Sequence, residues 1–305
     1  MNIFNDEIKG LNKLTKGQQF FVKNFIEFSK ELYRQGDKVL LEILELQNNN
    51  AEELLNLISK IMLKYNISDS KMQISLNSQV LITKEIDKKI NEFMKAEYTN
   101  ENTILTKALN NLAKDKYNIN SYLLSLGMDF SIKKISDKDL KRILNKTIDG
   151  QNYSNRIWNN REDIAKKLKV HIRDFLSGKI NCNQIEKEIR DRFEVDKFYS
   201  KRMLRNEICR VQNDINEQFF EDNNAEYLLY SATLDSKTCS RCAADDGKVY
   251  RFNDTNRPEL PRHVNDRCTY IQLPSKDYRP DFRIDNTTKE NIEYKDYQEW
   301  AKENL

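Results

Sequence analysis

The sequence predicts an α+β protein, predominantly helical, in which a long helical part leads into a small β-rich module. Three observations carry this. Only seven Gly and four Pro occur in 305 residues, and the prolines, at 258, 261, 274 and 280, all fall near the end. With so few breakers and abundant Leu, Ile, Lys and Glu, the first 220 residues favour helix. The composition then changes to short runs, "AEYLLYSATL", "GKVYRF" and "CTYIQLP", which read as strands.

Segments 16–46, 51–65, 82–97 and 103–115 repeat apolar residues every three or four positions, with Asn-rich or Ser-rich pauses between them. "NNNAEELL" reads as a cap opening a new helix. In "ISDKDLKRILNKTIDG" the expected N-cap is Ser136, with Asp139 three residues on and a stop near Gly150. The next helix puts Ile157, Ile164, Leu168, Ile172 and Phe175 on one face and ends at Gly178. "NCNQIEKEIRDRF" opens with Asn181 and Gln184 at capping-box spacing and turns Ile185, Ile189 and Phe193 inward. A third helix, about 196–221, carries Tyr199, Met203, Ile208, Val211, Ile215 and Phe219 as its stripe. The expected organisation is a helical region of unassigned role at 1–148, a domain at 149–273 with its Cys/His module at 227–273, and a polar tail at 274–305. That tail ends in a short helix within "NIEYKDYQEWAKEN".

The 51 Lys and Arg against 48 Asp and Glu leave a net charge of +3, too balanced for a dedicated nucleic-acid binder. Residues 151–220 carry about +4 and residues 221–305 about −4. No run of eighteen apolar residues spans a membrane, and "MNIFNDEIKG" lacks the regions of a secretory signal. Five sparse cysteines, three of them within thirty residues, suit a metal in a reducing compartment better than a disulfide framework.

Cys239 and Cys242 stand at C-x-x-C spacing, which grips one edge of a tetrahedron from a single turn; His263 and Cys268 supply the other edge. A C-x-x-C by itself also fits small buried apolar residues. Here a His and a third Cys follow at workable spacing, and the chain has only two His. Four protein ligands fill every position of a zinc ion, so the expected zinc is structural and leaves no site for a reactive water. The motifs H-E-x-x-H, G-x-S-x-G, the P-loop and the deaminase order are all absent. Asp235, Asp245, Asp246 and Asp266 are candidate acids or bases whose ordinary role in loops is to cap turns. His171, Cys182 and Cys209 read as packed residues. Lys201, Arg202, Arg205 and Arg210 read as a solvated basic face, with Glu207 pairing Arg210.

The order of these features resembles the bacteriophage minor head protein, or head-morphogenesis, family typified by the F protein of phage Mu. The likeness runs from "RNE" (Arg205 to Glu207) through Asp235, the C-x-x-C and Asp246-Gly247 to His263 and Arg267-Cys268-Thr269, over about residues 149–273. Asn206, Val264 and Asp266 depart from the family's Thr, Pro and Cys, and Asp266 is the candidate to replace a metal ligand. The resemblance implies a virion protein of the head interior or portal vertex, present in the host cytoplasm during assembly. It implies portal and other capsid proteins as partners and packaged DNA as a further one, with no membrane, no small-molecule substrate and no catalytic residues. The competing expectations are a metal-dependent hydrolase or nuclease built on His263 and the nearby aspartates, and a zinc-bearing DNA-binding protein.

Overall fold

The apolar spacing of the first 127 residues serves two helices, not four. The computed structural model describes residues 16–127, 133–273, 275–277, 279–280 and 282–305. Helix α1 runs Lys16–Lys64 and α2 runs Leu76–Gly127, joined by a hairpin of β1 (Asn66–Ser68) and β2 (Lys71–Gln73). The expected cap at "NNN" lies inside α1. Asn50 does not turn back on its own backbone; its side-chain amide donates to Glu97 Oε1 at 2.7 Å, so a buried partner on α2 outcompetes local capping.

Residues 34–109 and 145–205 form one compact unit. Its core packs Leu54, Ile58, Ile86 and Ile90 against Ile164, Ile172, Phe175 and Ile189, all within a few per cent of full burial. Each such side chain contributes on the order of 1.5–3 kcal/mol. Helix α4 (Tyr153–Leu176) starts from a capping box between Asn152 and Asn155 and buries all five residues of its expected stripe. At Gly178 the chain takes φ +73°, and an added Cβ would lie 3.2 Å from the Met72 carbonyl oxygen, so both conformation and space require glycine. The two helices expected at 181–193 and 196–221 are one, α5 (Cys182–Asp222). Its capping box is present as expected, with bonds of 2.8 and 2.9 Å between Asn181 and Gln184. Tyr199, expected on the buried stripe, is exposed, and Met203 and Ile208 are half-buried, while Leu204 is buried instead.

The second unit comprises residues 110–144 and 206–305, with the described residues up to 33. Helix α3 (Asp137–Leu144) takes Ser136 as its cap, with the Asp139 amide on Ser136 Oγ at 3.1 Å. It ends well before Gly150, where Asp149 and Gly150 at positive φ turn the chain. Strands β3 (Tyr227–Ser231), β4 (Val249–Arg251) and β5 (Thr269–Leu273) match the three expected runs and form an antiparallel sheet in the order β4-β3-β5. A six-residue helix, α6 (Ser240–Asp245), sits between β3 and β4. Residues of the polar tail add a hairpin, β6 (Phe282–Ile284) with β7 (Asn291–Glu293), and α7 (Tyr297–Asn304). Tyr297 and Trp300 of α7 pack on Leu234 and Ala243, so these polar-looking residues close a small core of their own.

Candidate metal centre

The C-x-x-C begins α6. Cys239 immediately precedes the helix in extended conformation, and Cys242 lies buried in its first turn. After β4 the chain returns through 252–262 and brings His263 across, its Nε2 3.4 Å from Cys239 Sγ and 3.5 Å from Cys242 Sγ. For a tetrahedral ion with bonds of ~2.3 Å to sulfur and ~2.0 Å to nitrogen, the S···N edge is about 3.5 Å, so this spacing suits an ion at the centre. His263 Nδ1 lies 3.0 Å from the Val264 carbonyl oxygen. Donating a proton there leaves the Nε2 lone pair facing the thiols, the arrangement of a ligating histidine.

The ligand atoms of Cys239, Cys242 and His263 lie within 4.8 Å of one another, and so do those of Cys242, Asp266 and Cys268. The four expected ligands are thus gathered through Cys242, with Cys268 in the second group. Burial works against ionising Cys239, but the Cys242 amide and thiol and the His263 ring outweigh it and bring the thiol down to about 7. Burial raises Cys242 and Cys268, and the Asp266 charge adds to both. The Tyr230 hydroxyl of β3 is buried against these last two thiols, which burial and the thiols together push far above an ordinary phenol.

Asp266 holds the loop. Its Oδ2 accepts from the Arg262 amide at 2.7 Å and its Oδ1 from the Cys268 amide at 2.9 Å, so both oxygens already have donors. Its carbonyl oxygen accepts from Cys209 Sγ of α5 at 2.7 Å, and Cys209, chiefly by burial, is pushed up to about 12. The next turn is fixed from the same helix, with Asn206 Oδ1 accepting from the Asn265 amide at 2.8 Å where Asn265 has φ +60°.

The other three aspartates are likewise engaged. Asp235 pairs through both oxygens with Arg267. Burial would raise its carboxyl, yet the Arg267 bonds and charge hold it below the usual carboxylate range. Asp245 takes Arg262 at 2.6 Å and Lys248 at 2.7 Å. Asp246 is more than a turn residue: its buried carboxylate accepts from the Ala232 amide (2.7 Å), the Tyr297 amide (2.6 Å) and Arg283 Nη1 (2.7 Å). Gly247 beside it has φ +79°, a conformation that favours glycine.

Of the expected basic face, Lys201, Arg202 and Arg205 are exposed, whereas Arg210 is buried. The expected Glu207 pairing exists at 2.8 Å; Asp214 at 2.8 Å and the Ile143 carbonyl at 2.9 Å also accept from Arg210, so this is an interior contact and not a solvated one. His171 is half-buried beside Glu188 at 3.2 Å. Sequence reasoning missed Tyr230, Arg262 and Arg283. Tyr230 lies on a central strand buried on both faces, where no alternation marks which side chain meets the cysteines.

Residues 163–271 match the family model described as Phage Mu protein F like protein, a stretch that includes Cys239, Cys242, His263, Asp266 and Cys268. The resemblance to the phage head-morphogenesis family is shown there. An NAD(+)–arginine ADP-ribosyltransferase of Enterococcus faecalis is 24% identical over 192 residues, which cover 58% of this chain and 39% of the relative. No solved structure matches the chain. Among the described residues no helix is long and apolar enough to cross a membrane.

Proposed function

We propose, from the match of residues 163–271 to the phage Mu F-like family, that the chain is a minor structural protein of a tailed-phage head. In this reading it acts near the portal in head morphogenesis, DNA delivery or both. Portal and capsid proteins are its partners, packaged DNA a further one, and the virion its location. The family match is the observation that carries the reading. The site chemistry is in keeping with it: the four aspartates around the cysteines hold arginines or backbone amides, a use that shapes the loops.

Zinc is the metal this donor set fits, since thiolates with one imidazole suit a borderline-soft ion. Cys239, Cys242, His263 and Cys268 would hold it. When bound, it would tie the start of α6 to the loop before β5, a crosslink in a module whose core is small. Quantitative mass spectrometry of purified particles tests the main reading: a few copies per particle are expected, and absence from particles refutes it.

A second reading, ADP-ribosyl transfer, is favoured by the name of the Enterococcus relative. Incubating the full chain with NAD⁺ and an arginine-containing acceptor tests it. A modified acceptor supports transfer, and intact NAD⁺ with an unmodified acceptor removes it.

A further inference from the structure

One arginine faces three carboxylates in the interior of the unit formed by residues 34–109 and 145–205. Arg161 of α4 contacts Glu101 of α2 and Asp196 of α5 directly, and its Nη1 lies 3.5 Å from Glu97 Oε2. All four side chains are at most 2% exposed. The groups facing the cluster are Gln47 and Asn50 from α1, Glu97 and Glu101 from α2, Asn160 and Arg161 from α4, and Asp196 and Ser200 from α5. Arg161 is the one cation in that set. If every acid were ionised, the cluster would carry two uncompensated negative charges in a buried interior, where even one is costly.

Something must neutralise the excess. The three carboxylates are not among the acid, cysteine and histidine groups that lie close enough together to share a metal ion. The hydrogen-bond pattern indicates a proton instead. Glu97 Oε1 already accepts from Asn50, but Glu97 Oε2, Asp196 Oδ2 and Gln47 Oε1 are buried acceptors with no hydrogen bond. A proton on Glu97 converts one orphaned acceptor into a donor among acceptors.

We propose that the Arg161 cluster holds a proton on the Glu97/Glu101 pair at neutral pH, and that its loss weakens the packing of α1, α2, α4 and α5, making the cluster a pH-sensitive latch. Burial raises both glutamates above the ordinary value of 4.5, against the pull of Arg161. An acid raised on folding gives its full stabilisation below that ordinary value. It loses the stabilisation as pH climbs through the raised value, so the latch is tight in mild acid and loosens toward alkaline pH.

The test follows urea unfolding of the full chain between pH 5 and 9, for the wild type and for Glu97→Gln, which keeps the shape without the ionisation. Relative to the variant, the wild type should lose at least about tenfold in its folding constant across that range. A ratio independent of pH overturns the proposal. Should Glu97→Gln fail to fold, carboxyl-¹³C shifts of the wild type decide. A glutamate in the cluster still protonated at pH 7 upholds the latch, and full ionisation of both at pH 7 refutes it.

Discussion

Replacing Asp246 with alanine should destabilise the C-terminal unit more than any other single change near the cysteines. Its carboxylate is fully buried, and Arg283 opposite is 9% exposed. The substitution leaves that guanidinium without its counter-charge, held only by the Lys295 and Ala232 carbonyls, and removing one partner of a buried ion pair costs about 3–5 kcal/mol. It also orphans the Ala232 and Tyr297 amides, each worth roughly 1–3 kcal/mol when buried without an acceptor. Relaxation and water entry offset part of the sum, so the expected loss is about 4–5 kcal/mol. Trp300 provides the signal: it is 1% exposed, whereas the other tryptophan, Trp158, is 43% exposed. In a Trp158→Phe background, urea unfolding monitored by Trp300 fluorescence reads this unit directly, and the slope should stay constant while the midpoint falls. The pair Asp246→Asn with Arg283→Met removes both charges and should cost less than Asp246→Ala alone. A loss below about 1 kcal/mol for Asp246→Ala, or a double variant worse than the single, refutes the clamp.

Three further outcomes are expected. The purified chain should carry about one zinc, lost in a Cys239→Ser/Cys242→Ser variant; chelation should lower the melting temperature of the Trp300 transition, and no response to chelator counts against a structural metal. Asp266→Asn should keep bound zinc while losing stability, since the structure uses both oxygens on backbone amides; loss of metal at unchanged stability would make Asp266 a ligand instead. Gly178→Ala should cost about 1–2 kcal/mol by denaturant titration, from positive φ and the 3.2 Å approach to Met72.

Sequence legibility follows the range of the contact that decides each feature. The stripe of α4, the capping box at Asn181 and the three strands of the sheet were legible because neighbours in sequence decide them. The continuity of α1 through Asn48–Asn50 was not, because Asn50 is held by Glu97, far along the chain. Neither was the fusion of two helices into α5, since a capping signal at 181 says where a helix begins and not where it stops. The closing helix of the tail was legible and is α7, but the hairpin before it was not, for another reason. Its polar residues are anchored by single contacts, such as Trp300 Nε1 donating to Asp285 at 2.7 Å, which leave no periodic pattern to detect.

The centre itself was legible as an order of residues before it was legible as a place, and the contacts explain why. Asp235 pairs with Arg267, Asn206 holds the amide of Asn265, Cys239 and Cys242 meet His263, and Cys209 meets the carbonyl of Asp266. Asn206, Asp235 and the two cysteines of the signature each touch a late member, so much of its spacing along the chain is set by closure around a single small volume. Asp266 stands where the resembling family has cysteine, and the loop keeps its shape because the carboxylate accepts the Arg262 and Cys268 amides. A residue that shapes the loop with both oxygens leaves Cys268, two positions on and buried against Tyr230, as the thiol proposed to join Cys239 and Cys242 around the metal.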